Sequence, residues 1–383
     1  MVSRFEFATA QRVIFGAGVV REVGTLAAAL GRRPLVVTGR DPGRCRPVLD
    51  QLRAQGLQPA LFPVHGEPTV EDARRGAALA RSGQADLVLA CGGGSALDAG
   101  KAIAALAAQE DDLMAYLEVV GQGRPLERPP LPVIAVPTTA GTGSEATRNA
   151  VLASGEHGVK ASLRHPSMLP RVALVDPELT LGLPPEITAS TGLDALTQLI
   201  EPYLSSRANP LTDALCLEGI RRSVRSLERA WTAGGDLESR TDLALASLLG
   251  GMALANAGLG AVHGLAAPLG GLFPVPHGVA CAALLPHVLR ANLAACAPEH
   301  PAHARFAELA RLLTGDPSAA PGDGVAWVAG LVRRLRVPAL GRYGLTPADL
   351  PQVAERALAA SSMKANPVPL DRDALTEILA RAL

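Results

Sequence analysis

Ala90-Cys91-Gly92-Gly93-Gly94-Ser95-Ala96-Leu97-Asp98-Ala99-Gly100-Lys101 is the stretch on which the fold of this chain turns. The residues leading into it, Asp86-Leu87-Val88-Leu89-Ala90, form a short apolar run with strand character, and residues 99–108 form an alanine-rich run with helical character. A glycine run between a buried strand and a helix leaves backbone N–H groups bare at a helix N-terminus, where the helix dipole also favours an anion. Three consecutive glycines let the backbone approach a ligand that a side chain would block. The plain alternative is a flexible turn. The spacing matches neither a Walker A loop nor G-x-G-x-x-G.

Reading outward, the first half of the chain alternates strands and helices. Strands are expected over residues 34–38 (Pro-Leu-Val-Val-Thr), 60–64, 86–91, 133–136 and 172–175, with helical periodicity over 46–54 and 70–81. This alternation predicts a parallel sheet covered by helices on both faces, with ligands beyond the carboxyl ends of its strands, where the Gly92 loop lies. Near residue 184 the strand signal stops. Helical patterns over 190–204, 210–227 and 239–257 follow, punctuated by Gly258, Gly260, Gly270-Gly271 and Pro274, with a shorter helical tail after the 317–322 loop. The expected organisation is an α/β dinucleotide-binding domain over 1–183 and an all-helical domain over 184–383.

Composition narrows the class of function. The 383 residues are 48% hydrophobic and 19% charged with a formal net charge of 0, which predicts a large core and disfavours a nucleic-acid or anionic-membrane surface. Phosphate binding then has to be local. The five cysteines, Cys45, Cys91, Cys216, Cys281 and Cys296, are odd in number and show no C-x-x-C spacing, so neither a disulfide framework nor a zinc knuckle is expected. Residues 1–7 carry Arg4 and Glu6 and do not read as a secretory leader. With polar and proline breaks respected, no apolar run reaches the roughly 18 residues of a membrane span. A cytoplasmic enzyme is the expectation.

A second glycine-rich strand exit, Pro137-Thr138-Thr139-Ala140-Gly141-Thr142-Gly143-Ser144-Glu145, follows the fourth strand. Its hydroxyls suit ribose or phosphate oxygens, although the same residues could simply build a turn capped by Glu145. Two such loops at strand ends point to a dinucleotide site. In the helical half, Asp194 and Gln198 lie four apart and project from one helix face among Leu193, Leu196, Leu199 and Ile200. A carboxylate in such surroundings needs a partner. His263 follows the 258–260 break, and His277 sits between Pro276 and Gly278. These four donors could hold a divalent metal. Taken singly, each has a plainer reading: a hydrogen-bonded core histidine, or for Asp194 a helix cap after Gly192.

In order along the chain, Phe15-Gly16-Ala17-Gly18, Gly92-Gly93-Gly94-Ser95 with Asp98 and Lys101, the 137–145 loop, Asp176-Pro177-Glu178-Leu179-Thr180 with Leu183-Pro184, Gly192-Leu193-Asp194-Ala195-Leu196-Thr197, His263-Gly264 and Pro276-His277-Gly278 resemble the motifs of the iron-containing (group III) alcohol dehydrogenases. The resemblance spans nearly the whole chain. It implies a Rossmann-like parallel-sheet domain followed by an all-α domain, the dehydroquinate synthase-like arrangement. It also implies an NAD(P)-dependent alcohol dehydrogenase, a homodimer, that interconverts small alcohols and carbonyls in the interdomain cleft with Fe²⁺ or Zn²⁺. Gly93, Gly94 and Ser95 would hold the pyrophosphate. Asp98, Thr138, Thr139, Thr142, Asn149, Lys160 and Leu179 would line the cofactor site, and Asp194, His263 and His277 would be catalytic metal ligands.

The chain departs from the family pattern at two positions. Gln198 stands where the family usually has a second ligand, a histidine one turn after the aspartate, so it is the expected fourth ligand here, though an amide oxygen binds these metals less well than imidazole. Ala267 stands where the family often has a histidine thought to relay protons. A metal-free reductase like maleylacetate reductase, or a dinucleotide-binding protein without catalysis, are the alternatives these departures permit. After the 34–38 strand, Gly39-Arg40 replaces the acidic residue that often binds the ribose 2′-hydroxyl in NAD-preferring members. That favours NADP(H) over NAD(H), with Asp41 one step further on.

Overall fold

The computed structural model describes residues 4–383, and two compact units can be distinguished within it. Thr9–Leu181 forms one, and Gly182–Leu383 together with the segment ending at Ala8 forms the other. Residues 4–8 therefore group with the helical unit and not with the α/β domain in which the 1–183 boundary places them; residues 1–3 of that expected domain lie outside the described residues. The physical reason is a pair of reciprocal bonds, in which Ala8 N–H donates to Asn256 Oδ1 at 2.7 Å and Asn256 Nδ2 donates to Ala8 O at 2.9 Å.

The Thr9–Leu181 unit contains strands β1 (Val13–Phe15), β2 (Pro34–Thr38), β3 (Ala60–Pro63), β4 (Leu87–Gly92), β5 (Val133–Pro137), β6 (Asn149–Ser154), β7 (Val159–Arg164) and β8 (Val172–Val175). Helices α1 (Val23–Leu30), α2 (Arg46–Ala54), α3 (Val70–Ser82) and α4 (Gly94–Ala107) alternate with the first of these. Six strands form one parallel sheet in the order β1-β8-β5-β4-β2-β3. Every residue of β2, β4, β5 and β8 is buried, as a parallel sheet sandwiched between helices requires. Alternate residues serve the two faces. Val36, Leu89, Cys91, Ile134, Val136 and Leu174 pack with Val48 and Leu52 of α2, while Leu35, Val37, Val88 and Val133 pack with Ala99, Ile103 and Ala104 of α4.

Two elements of this unit go beyond the sequence expectation. β1 is a three-residue edge strand, too short to show a period, that exists because it pairs with β8. β6 and β7 form a separate antiparallel hairpin. α4 begins at Gly94, earlier than the alanine-rich run implies, with Gly93 as its N-cap and Gly92 ending β4.

The second unit is helical throughout its described length: α5 (Pro185–Leu204), α6 (Pro210–Thr232), α7 (Leu237–Ala257), α8 (Ala261–Leu272), α9 (His277–Ala295), α10 (Pro301–Thr314), α11 (Pro321–Arg334), α12 (Leu350–Leu358) and α13 (Arg372–Ala382). Gly258, at φ +75°, ends α7 in a conformation that side chains rarely adopt, and the chain turns through 99° into α8. Helix α9, with 19 residues and mean hydropathy 1.3, is long and apolar enough to cross a membrane, contrary to the sequence expectation. The discrepancy arises because His287 and Arg290 interrupt the run without lowering its average enough; 61% of its apolar stretch is buried inside the protein, as in a core helix.

Candidate functional site

The two glycine-rich loops leave adjacent strands of the sheet. β4 and β5 pair with Gly92 opposite Pro137, and Thr138 N–H donates to Gly92 O at 2.9 Å. No side chain caps α4 at Gly93, so its first N–H groups are left for a ligand. The second loop closes over them: a Cβ on Gly94 would lie 2.6 Å from Thr142 Cγ2, and one on Gly93 would lie 3.3 Å from Thr139 Oγ1. Glycine at 94 is thus required by the close approach of Thr142, a stiff β-branched neighbour. Gly93 and Gly94 stand against Thr139 and Thr142, and Thr138 beside Gly92, so the structure brings these residues of the two loops, with Ser95 in the first turn of α4, together.

Asp98 is held by three protein partners. Its Oδ1 accepts from Ser144 Oγ at 2.5 Å and pairs with Lys101 Nζ at 3.2 Å, and its Oδ2 accepts from Val151 N–H at 3.0 Å. Lys101 is 1% exposed and also donates to Ser144 O and Thr147 Oγ1. Asp98 therefore ties α4 to the second loop and to β6, a network in which the sequence shows no role for Lys101. Lys160, on β7, is ion-paired with Glu67, so its charge is already neutralised within the protein. Asn149 opens β6, and Leu179 packs from the 177–180 turn onto the sheet core. Gly39 and Arg40 lie just past the end of β2.

Glu145, buried beside this network, has its carboxyl raised to about 7 by burial, with its own backbone N–H and the Lys101 charge opposing the rise. In the unfolded chain this group titrates near 4.5, so from about pH 4.5 to about pH 7 the folded protein keeps a proton that the unfolded chain has lost. Stability contributed by the neutral carboxyl is complete below that window and falls as pH rises through it, by an amount on the order of 3 kcal/mol. Glu145→Gln should flatten this loss, making the variant more stable than the parent at pH 8. Urea midpoints of both at pH 5 and pH 8 check it, and equal slopes would reject the assignment.

In the helical unit, three helices bring the metal-type donors together. Asp194 lies in the middle of α5, and is not a cap after Gly192. His263 is in the first turn of α8. His277 opens α9 immediately after Pro276. The start of α9 can approach α5 closely because residue 278 is glycine: a Cβ there would sit 2.6 Å from Ser190 O, one turn before Asp194. Asp194 Oδ1 is 3.5 Å from His263 Nε2 and 3.8 Å from His277 Nε2. Cys281, four residues after His277 on the same face of α9, places Sγ 3.7 Å from each Nε2. The four donor atoms all lie within 4.8 Å of one another.

Glu201, two turns beyond Asp194 on α5, organises this cluster. Its Oε1 accepts from Val262 N–H at 2.7 Å and its Oε2 bonds His263 Nδ1 at 2.6 Å. A carboxylate at the α8 N-terminus satisfies one of its orphan donors and, by accepting a hydrogen bond from Nδ1–H, leaves Nε2 as the lone-pair nitrogen facing the cluster. The 194–198–201 spacing carries the signal for Glu201, and His277-x-x-x-Cys281 carries it for Cys281; neither was singled out in the sequence.

The fit to a divalent cation rests on an orphaned atom. Asp194 is 2% exposed, yet its Oδ1 has no hydrogen-bond partner among the described residues. Ligand bonds of about 2.0–2.3 Å meeting near tetrahedral angles put donor atoms roughly 3.3–3.7 Å apart, which these separations approach. Within the cluster the two imidazoles are shifted toward their protonated forms and the carboxylate toward its ionised form. Burial pushes the Asp194 carboxyl up, but the two imidazoles and the Gln198 hydrogen bond more than offset it, and the group ends below its ordinary range. His277 is raised to about 9, chiefly by its electrostatic interaction with Cys281, against burial and with help from Asp194. Gln198 is buried one turn after Asp194, and its Oε1 has no partner among the described residues.

Comparison with known proteins agrees with both halves. Residues 10–177 match the family model described as iron-containing alcohol dehydrogenase, and residues 188–383 match that of the Fe-containing alcohol dehydrogenase family, C-terminal. The chain is 39% identical over 376 residues to 1,3-propanediol dehydrogenase of Klebsiella pneumoniae, covering 95% of each chain. The solved structure of a 1,3-propanediol oxidoreductase has a TM-score of 0.93 at 37% identity, over 100% of both chains. Sulfoacetaldehyde reductase from Bifidobacterium kashiwanohense, solved in complex with NAD+, has a TM-score of 0.88 at 28% identity, over 99% of both.

Proposed function

This chain belongs to the iron-containing alcohol dehydrogenase family and is a nicotinamide-dependent alcohol oxidoreductase, and from that premise we propose that it interconverts small uncharged alcohols or diols with their aldehydes at the Asp194–His263–His277 cluster. The observation that carries the assignment is the convergence of one buried, unpartnered carboxylate oxygen and two imidazole Nε2 atoms from three helices. When bound, a divalent cation supplies Lewis-acid polarisation of the substrate oxygen, and the dinucleotide supplies or accepts the hydride. Asp194 contributes the anionic ligand, and His263 and His277 the neutral nitrogen donors. Glu201 holds His263 in the tautomer this needs. Ala267, one turn after His263, offers no proton carrier, so the substrate proton has to travel through water, cofactor hydroxyls or another residue. The main charges acting on the cluster are its own members and Glu201, with no arginine or lysine among them, which favours an uncharged substrate.

The deciding experiment follows NAD(P)H oxidation with butyraldehyde and 3-hydroxypropanal, before chelation, after it, and after reloading with Fe²⁺ or Zn²⁺. Activity should disappear on stripping and return with metal. Turnover that ignores stripping would favour a metal-free reductase of the maleylacetate type instead.

For the dinucleotide, we propose NADP(H) in preference to NAD(H). A Cβ on Gly39 would meet nothing within 4 Å, and Arg40 is exposed with no partner recorded for its guanidinium among the described residues, which leaves room and charge for a 2′-phosphate. The Asp41 carboxylate accepts from Gly43 N–H at 2.9 Å and caps its own turn. Because the space at 39 is open, Gly39→Asp should fold normally and lower kcat/KM for NADPH about tenfold or more through repulsion, sparing NADH. Equal loss with both dinucleotides would refute the preference. A cytoplasmic location is supported by five unpaired thiols. A homodimer is expected from the family resemblance, and sedimentation checks it.

A further inference from the structure

We infer that Cys281 is a thiolate ligand of the metal, supplying the donor that Gln198 cannot; this rests on the metal-dependent reading of the cluster above. Cys281 Sγ has two partners, His263 Nε2 and His277 Nε2, each at 3.7 Å. A sulfur and a nitrogen bound to one ion at about 2.3 and 2.0 Å in a tetrahedral arrangement stand roughly 3.6 Å apart. Other buried cysteines are spent differently: Cys45 donates to Cys91 O at 2.9 Å, and Cys296 lies 3.8 Å from Ala297 O.

The neighbouring position explains why a new donor is needed. Gln198, buried one turn after Asp194, offers at most a neutral amide oxygen, a weaker donor than imidazole or thiolate. The stronger, anionic fourth donor comes from α9. Charge supports the same exchange. Asp194 and a Cys281 thiolate together balance a divalent cation, leaving the four-ligand set itself neutral where Asp194, His263 and Cys281 are all buried. A thiolate with two imidazoles and one carboxylate selects Zn²⁺ or Fe²⁺ over Mg²⁺ or Mn²⁺. It also makes metal retention sensitive to oxidation of that thiol.

X-ray absorption on the Zn²⁺-loaded full chain tests this directly. One sulfur scatterer at about 2.3 Å beside nitrogen and oxygen scatterers at about 2.0–2.1 Å is expected. The Co²⁺-loaded protein should show a near-ultraviolet thiolate-to-metal charge-transfer band that Cys281→Ser removes. In the Cys281→Ser background, Gln198→His should restore metal occupancy without restoring the band. Zn²⁺ bound in the parent with only nitrogen and oxygen neighbours, or a band that persists in Cys281→Ser, would overturn the ligand assignment and leave the metal-dependent oxidoreductase intact. A parent that retains no metal at all overturns both.

Discussion

Asp194→Ala should lose stoichiometric metal and lower kcat/KM with aldehyde at least about 1,000-fold, equivalent to roughly 4 kcal/mol of transition-state stabilisation. Asp194 is the carboxylate member of a cluster whose two imidazoles each approach the same oxygen, Oδ1. Neither imidazole brings negative charge, so without Asp194 the remaining donors cannot balance a divalent cation unless Cys281 does so alone. The dinucleotide loops belong to the Thr9–Leu181 unit, whereas Asp194 belongs to the other. Dinucleotide affinity, read by NADPH fluorescence, should therefore be unchanged while metal analysis shows the loss. Metal retained in the variant would remove Asp194 from the ligand set.

Asp98→Ala should have the largest effect on stability, about 3–5 kcal/mol, because it strands Lys101 as a buried charge without its carboxylate. Burial already lowers the pKa of Lys101, and the Asp98 charge is the main influence opposing this. The same substitution leaves Ser144 Oγ and Val151 N–H without their acceptor. Because Ser144 ends the loop that carries Thr139 and Thr142, dinucleotide affinity should fall with stability. Adding Lys101→Met should recover a substantial part of the stability, since the stranded charge goes with it, though the two loop bonds stay broken. Urea unfolding of the parent, both single variants and the double variant measures the coupling. A cost below about 1 kcal/mol for Asp98→Ala would show that the pair is not a structural tie.

Much of the α/β unit was legible because its signals are local. The runs at 34–38 and 172–175 are strands at those bounds, and 46–54 is a helix at those bounds, since apolar period and flanking turn residues lie within a few positions of each other. β1 was not legible because three residues carry no period and their strand identity depends on pairing with β8, some 160 positions away. Strand β6 of the hairpin alternates half-buried and buried residues only after its register with β7 is set. Family resemblance implied the glycine loops and the Asp194–His263–His277 set, whose members the structure brings together within each unit; of the cofactor-site residues it named, Asp98 and Lys160 are ion-paired with Lys101 and Glu67.

By itself the sequence determined the alternation that builds the sheet, the position of the phosphate-type loops, the switch to helices near residue 184, and the identity of three convergent metal-type residues. The tertiary structure decided which neighbours complete them. Glu201 reaches His263 across 62 positions, and Cys281 reaches it across 18, only because α5, α8 and α9 pack together, with Gly278 against Ser190 and the turn at Gly258 setting the approach. Spacing along one helix reveals which side chains share a face, whereas a ligand set is a matter of distances between helices, and those follow from packing that no single window of sequence contains.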